Sequence, residues 1–248
     1  MFKSPSSAET KSFYDGLISQ DVNRSVWGVN NRFNPQKIAA SLSTQLHYEE
    51  TVKPYCSPAA EALDVGCSTG GFTGLLAKYC GSVIGVDLSE KAVALANAHF
   101  VESGLDNCTA RSGDGCRLDF ADESFDIIQM VDVVHHAEDA SLLMAEIHRL
   151  LKPTGKLIVF EPNKYNLALW LMCAFDRNEW GALRLGSKSQ YRRLFSDAFH
   201  LEEIEYNGLL IGPDGRGATR IANWLAERQR LPWLQAQSPK IFMLLSKK

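Results

Sequence analysis

The residues of this sequence best placed to bind or react lie between positions 64 and 161. They are Asp64, the glycine run Gly66-Cys67-Ser68-Thr69-Gly70-Gly71, Asp87, Asp114 between two glycines, the adjacent pair His135 and His136, and Glu161. The glycines let a ligand approach the main chain, and a helix starting near Phe72 offers free N–H groups to it. A carboxylate at a strand end can accept two hydroxyls of a diol. An imidazole, with an ordinary pKa of about 6.5, can take a proton at neutral pH. Together these types suit a nucleoside-like cofactor beside a proton-accepting group. A dinucleotide fingerprint G-x-G-x-x-G would need glycine at 68, where Ser68 stands, so the spacing disfavours NAD.

These residues must be held by a regular frame, and residues 61 to 161 supply one. Short β-branched runs alternate with longer helical patterns, the signature of a parallel sheet covered by helices. The expected strands are Ala62 to Val65, Ser82 to Val86, Thr109 to Ser112, Asp126 to Val131 and Lys156 to Glu161. Asp87, Asp114 and Glu161 then fall at carboxyl ends, where open α/β sheets bind ligands. Ser89 suits an N-cap for a helix through Val93, Ala96 and Phe100. Lys152-Pro153-Thr154-Gly155 reads as the stop after a helix carrying Leu143, Ile147 and Leu150.

The stretch Ala62-Leu63-Asp64-Val65-Gly66-Cys67-Ser68-Thr69-Gly70-Gly71 resembles motif I of the class I S-adenosylmethionine-dependent methyltransferases, with Ser68 its one departure. Asp87 after Val-Ile-Gly-Val resembles motif II, Gly113-Asp114-Gly115 the adenine loop, and Ser124 to Val131 motif IV. The resemblance implies a Rossmann-like, doubly wound α/β fold: a mostly parallel seven-stranded sheet with one antiparallel strand near the C-terminus. It implies S-adenosyl-L-methionine as cofactor, with Asp87 at the ribose, Asp114 and Gly115 at the adenine, and Leu88 also in the cofactor set. It places the methionine portion along Gly66, Cys67, Ser68 and Gly70, and adds Asp64 and Val131 to the cofactor set. The Ser12-Phe13-Tyr14-Asp15 region resembles the N-terminal lid helix of such enzymes, so Tyr14 is expected to close over the cofactor.

After the fourth strand comes Val131-Asp132-Val133-Val134-His135-His136-Ala137-Glu138-Asp139, which lacks the D/N-P-P-Y/F of amino-directed nucleic-acid methyltransferases. No Pro-Cys dipeptide of cytosine C5 enzymes occurs in the chain. The Val-His-His run instead resembles the A-L-H-H-L-x-D stretch of small-molecule methyltransferases. His135 is the preferred candidate general base and His136 the alternative; the same pair could also cap, pack or frame the cofactor. Glu161 is expected to face the acceptor and bind a hydroxyl or amine. Many methyl transfers need no strong base, because aligning nucleophile, methyl carbon and sulfur suffices.

Composition bounds the rest. The 248 residues are 45% apolar and 22% charged, and Lys plus Arg against Asp plus Glu gives 26 − 29 = −3. That balance is globular and does not point to a polyanionic partner such as nucleic acid. Six cysteines contain no C-x-x-C pair, so neither a metal site nor a disulfide framework is expected from them. Met1 to Thr10 is polar and no apolar run approaches a spanning length, so a cytoplasmic protein without secretory signal or transmembrane segment is expected. The expected organisation is an N-terminal helical lid over 1–60 and a methyltransferase domain over 61–248, with a helical insertion at 162–195 and a helix near Ala218 to Gln229. The insertion is locally basic: Lys164, Arg177, Arg184, Lys188, Arg192 and Arg193 against Asp176 and Glu179 give 6 − 2 = +4. Its apolar run, Leu167 to Phe175, reads as packing over the cleft; the alternative is peripheral contact with a membrane. The function expected is methylation of an O, N or C atom of a small metabolite or lipid-linked acceptor. The alternatives are a non-catalytic S-adenosylmethionine sensor or partner subunit and, further off, an NAD-dependent oxidoreductase.

Overall fold

In the computed structural model the residues described are 6–19, 34–174, 179–209, 217, 220–221, 224 and 231–248. Five parallel strands form first: β1 (Glu61–Val65), β2 (Ser82–Asp87), β3 (Cys108–Ser112), β4 (Phe125–Val131) and β5 (Leu151–Pro162). Two more, β6 (Phe199–Asn207) and β7 (Lys240–Lys247), complete a seven-stranded sheet in the order β3-β2-β1-β4-β5-β7-β6. Only β7 runs antiparallel, pairing with β5 on one side and β6 on the other. The expected mostly parallel sheet with one reversed C-terminal strand is therefore present. Order reverses between β1 and β4, so their carboxyl ends open a crevice at this switch point.

Helices cover both faces, as buried parallel strands demand. On one face Leu63, Val65, Ile128 and Met130 pack with Leu143 and Ile147 of a helix spanning Ala140–Leu150. On the other, Ala62, Ile127 and Phe160 pack with Leu75, Leu76, Ala96 and Phe100. The helix Glu90–Glu102 begins where expected: Ser89 accepts an N–H from Ala92 in its first turn. Strand β5 starts earlier than the sequence suggests. Leu151 already pairs with Phe125, and Lys152 to Gly155 bulge out before Lys156 meets Ile127, so the Pro-Gly turn interrupts a longer strand.

Before the sheet lie helices α1 (Ser7–Ser19), α2 (Pro35–Ala40) and α3 (Leu42–Thr51). The insertion forms helices Leu167–Ala174, Trp180–Leu185 and Lys188–Phe195. The last is amphipathic and sends Tyr191 and Phe195 into the core. The first is not the covered layer expected of it: Leu167 is 64% exposed, Trp170 46% and Leu171 47%. Asp176, Arg177 and most of the helix expected over 218–229 fall outside the described residues.

Candidate functional site

A cleft opens over the carboxyl ends of β1, β2 and β4, and most of the site residues expected from sequence line it. Asp64, Gly66, Cys67 and Ser68 form its floor, Asp87 and Leu88 one wall, Asp114 and Gly115 the far end, and Val131 and His136 the opposite wall. Tyr14 of helix α1 also lines it. Gly70 is not among the lining residues; it caps the next helix with φ of +84°.

The floor is shaped by backbone requirements. Gly66 has φ of +74°, and a β-carbon there would sit 2.4 Å from Val133 Cγ2, so only glycine lets this turn pass under the loop after β4. Ser68, at φ of +48°, holds a left-handed conformation that glycine would adopt without strain. Asp87 pins the turn: its carboxylate accepts N–H groups from Ser68 and Ser89, each at 2.9 Å. Burial raises its pKa above the ordinary carboxylate value, partly offset by these two donors. Asp64 lies deeper. It accepts from Thr73 Oγ1 at 2.6 Å and Gln129 Nε2 at 3.0 Å, and burial pushes its pKa up to about 6 despite both bonds. Gln129 in turn accepts from the buried Tyr48 hydroxyl.

Helix α1 is tied across the cleft at four points. Tyr14 Oη lies 2.8 Å from His136 Nε2, Ser7 N donates to Glu138, Lys11 pairs with Glu90, and Ser89 Oγ donates to Asp15. Helix α1 contributes Ser7, Thr10, Lys11, Tyr14 and Ile18 to the lining, and none of the described lining residues comes from the 162–195 insertion.

Two expectations are corrected. Glu161 does not face the cleft: it is fully buried, and its carboxylate is filled from within. Oε1 accepts the main-chain N–H groups of Val133 and Val134 at 2.8 Å; Oε2 meets His135 Nδ1 at 2.8 Å, His135 N at 3.3 Å and Tyr191 Oη at 3.2 Å. It stabilises the turn after β4. His135 is also wholly buried, behind the cleft wall. Burial pulls its pKa down, but the carboxylates of Glu161 and Glu179 outweigh that and push it up to about 9. An imidazole held in this way is not a free base near pH 7, and of the two histidines His136 is the one at the cleft.

Sequence reasoning missed Asp132, Glu179 and Tyr191. Asp132 lines the cleft with φ of +59° and pairs with the buried Lys240. Its position directly after β4 was the available signal. Glu179 and Tyr191 sit in the insertion, where no pattern marks them.

A parallel sheet with this switch point, a glycine turn after β1 and a carboxylate closing β2 defines the architecture of the class I S-adenosylmethionine-dependent methyltransferases. Residues 63–159 match the family model described as a methyltransferase domain. It is 29% identical over 164 residues to a ubiquinone biosynthesis O-methyltransferase of Idiomarina loihiensis, covering 62% of this chain and 66% of that one. It is 31% identical over 154 residues to the 24-methylenesterol C-methyltransferase 2 of Oryza sativa subsp. japonica, covering 60% of this chain and 42% of the relative. The matches span under half the length of the sterol methyltransferase relatives, 48% for the Caenorhabditis elegans sterol 4-C-methyltransferase. Among solved structures, geranyl diphosphate C-methyltransferase from Streptomyces coelicolor A3(2) superposes with a TM-score of 0.63 at 16% identity, covering 98% of both chains. The [4+2]-cyclase SpnF superposes at 0.64 and 18% identity, covering 99% of this chain and 98% of its own. At such identity these two share the fold alone.

Proposed function

We propose that this protein transfers the methyl group of S-adenosyl-L-methionine to a small, largely apolar acceptor. The observation that carries the reading is the cleft itself: a bare main-chain floor at Gly66 to Ser68 with carboxylates of Asp87 and Asp114 along one lined crevice. These groups fit an adenosyl cofactor. Asp87 uses one lone pair of each oxygen on Ser68 and Ser89, and its remaining lone pairs can accept the ribose hydroxyls. Asp114 can accept from the adenine amino group, while the Gly115 amide meets a ring nitrogen. Leu88 supplies an apolar face beside them.

The bound cofactor would supply an electrophilic sulfonium methyl. This chain's part is then to align the acceptor with it and exclude water, the contribution in which proximity and orientation dominate. Tyr14 on the lid and His136 below it, 2.8 Å apart, bound the acceptor end opposite the glycine floor. Asp64, engaged by Thr73 and Gln129, holds the turn in shape from beneath. An apolar acceptor agrees with the exposed Leu167, Trp170 and Leu171, which offer a surface for delivery from a lipid phase. It agrees also with the sterol and quinone substrates named for several relatives.

Incubation with methyl-labelled S-adenosylmethionine and a cell extract, followed by partition, tests this reading. Label in the organic phase, absent with Asp87→Ala, is the expected result. Label confined to the aqueous phase would exclude an apolar acceptor, and no label in any fraction despite cofactor binding would favour a sensor role.

A further inference from the structure

Behind the cleft wall, the short 3-10 turn Val134–His136 and the insertion bring three metal-ligating side chains together. One ligand atom each from His135, His136 and Glu179 lies within 4.8 Å of the other two; His135 and Glu179 are buried and His136 is half-buried at the cleft wall. His135 Nε2 has no hydrogen-bond partner and stands 3.6 Å from Glu179 Oε2. That separation is long for a hydrogen bond. It matches a pair of metal ligands: two atoms each about 2.0–2.1 Å from a tetrahedral ion sit about 3.4 Å apart.

The opposite side of each ring is already held. His135 Nδ1 lies 2.8 Å from Glu161 Oε2 and His136 Nε2 lies 2.8 Å from Tyr14 Oη. A ligating histidine commonly gives its other N–H to such a partner, which fixes tautomer and ring orientation. Glu161 and Tyr14 therefore leave His135 Nε2 and His136 Nδ1 as the atoms that face Glu179. The third side chain is brought close by packing that tolerates no extra atom. At Gly181, two residues beyond Glu179, a β-carbon would fall 1.8 Å from the His135 carbonyl oxygen, so the insertion backbone rests directly on the turn. A divalent ion bound there would also offset the two buried carboxylates Glu161 and Glu179.

We propose that His135, His136 and Glu179 bind a divalent d-block cation, with zinc the best match to two imidazoles and one carboxylate. The ion ties the 162–195 insertion to the turn after β4 and sits one ring behind the His136 face of the cleft. Three protein ligands leave a fourth position for water. The proposal stands apart from the methyl-transfer reading, since it concerns different atoms and is read without turnover.

The test uses the full chain, stripped with a chelator and dialysed, then titrated with Zn²⁺ by calorimetry and with Co²⁺ by visible absorption. One equivalent of each, with the ligand-field intensity of four-coordinate cobalt, is the expected result. Glu179→Gln, which removes a proposed ligand and whose fold is checked by circular dichroism, should weaken binding at least about 100-fold, and Tyr14→Phe about 10-fold, within the range typical of losing an outer contact of a metal site. Absence of stoichiometric binding to the wild-type chain would overturn the proposal, as would affinity unchanged in Glu179→Gln, which would place the ion elsewhere. Zinc binding with no affinity for S-adenosylmethionine would leave this site standing and defeat the methyl-transfer reading.

Discussion

Replacing Glu161 by glutamine isolates the buried network after β4. The carboxylate presents only acceptors to five donors: three main-chain N–H groups from Val133 to His135, the His135 ring and the Tyr191 hydroxyl. In Glu161→Gln the carbonyl oxygen can keep Val133 and Val134, but the amide nitrogen then confronts His135 and Tyr191 with a donor. The buried charge pair with His135 is lost at the same time. Removing one partner of such a pair costs about 3–5 kcal/mol. In a chain of this size each kcal/mol lowers the melting temperature by about 2–4 °C, so a fall of roughly 6–20 °C is expected. Calorimetric melts at pH 7 in the presence of chelator measure it without interference from bound ions. A change under about 2 °C, accompanied by a raised acceptor KM, would refute the argument and return Glu161 to direct substrate contact.

Three further outcomes follow from the same geometry. Gly66→Ala should lose about 1–2 kcal/mol from its left-handed backbone alone, and more from the contact with Val133. Cofactor affinity should fall at least tenfold by isothermal titration, because the floor must shift. Asp64 has its folded pKa raised from 3.8 to about 6, so the folded state holds the proton more tightly than the unfolded chain. Its contribution is fully present below the unfolded value and is lost as pH rises through 6, about 3 kcal/mol in all. Chemical denaturation of Asp64→Asn from pH 3 to 7 should show this part of the slope removed. Leu167→Ser and Trp170→Ser should each change stability by less than about 0.5 kcal/mol, as surface substitutions do, while reducing turnover on vesicle-borne acceptor; a large loss of stability would mean that this helix face is packed.

Much of the frame was legible because its signals are local. Strands β1 to β4 begin within one residue of their expected starts, since β-branched runs bounded by turn residues mark them. The glycine floor and Asp87 were legible for a similar reason: a turn with positive φ restricts residue type at fixed spacing. Glu161 was misplaced because β5 is buried on both faces along Leu157 to Pro162, and such a strand carries no polar alternation to tell cleft from interior. Adjacent His135 and His136 share a 3-10 turn, where one step of chain separates the cleft from the core. The apolar run at Leu167 reads as core because hydrophobicity reports the tendency to be covered, not the presence of a cover.

The central claim is that the cleft binds S-adenosylmethionine with Asp87 on the ribose. Isothermal titration of the wild-type chain and Asp87→Ala, with NAD in parallel, tests it most directly. Hydrogen bonds to a charged group contribute about 1.5–3 kcal/mol each, so loss of the ribose pair should weaken binding by at least about 100-fold. The account predicts one equivalent of S-adenosylmethionine bound by the wild type, that loss in the variant, and no heat from NAD. Equal affinity in the two proteins, or binding of NAD in place of S-adenosylmethionine, would contradict it.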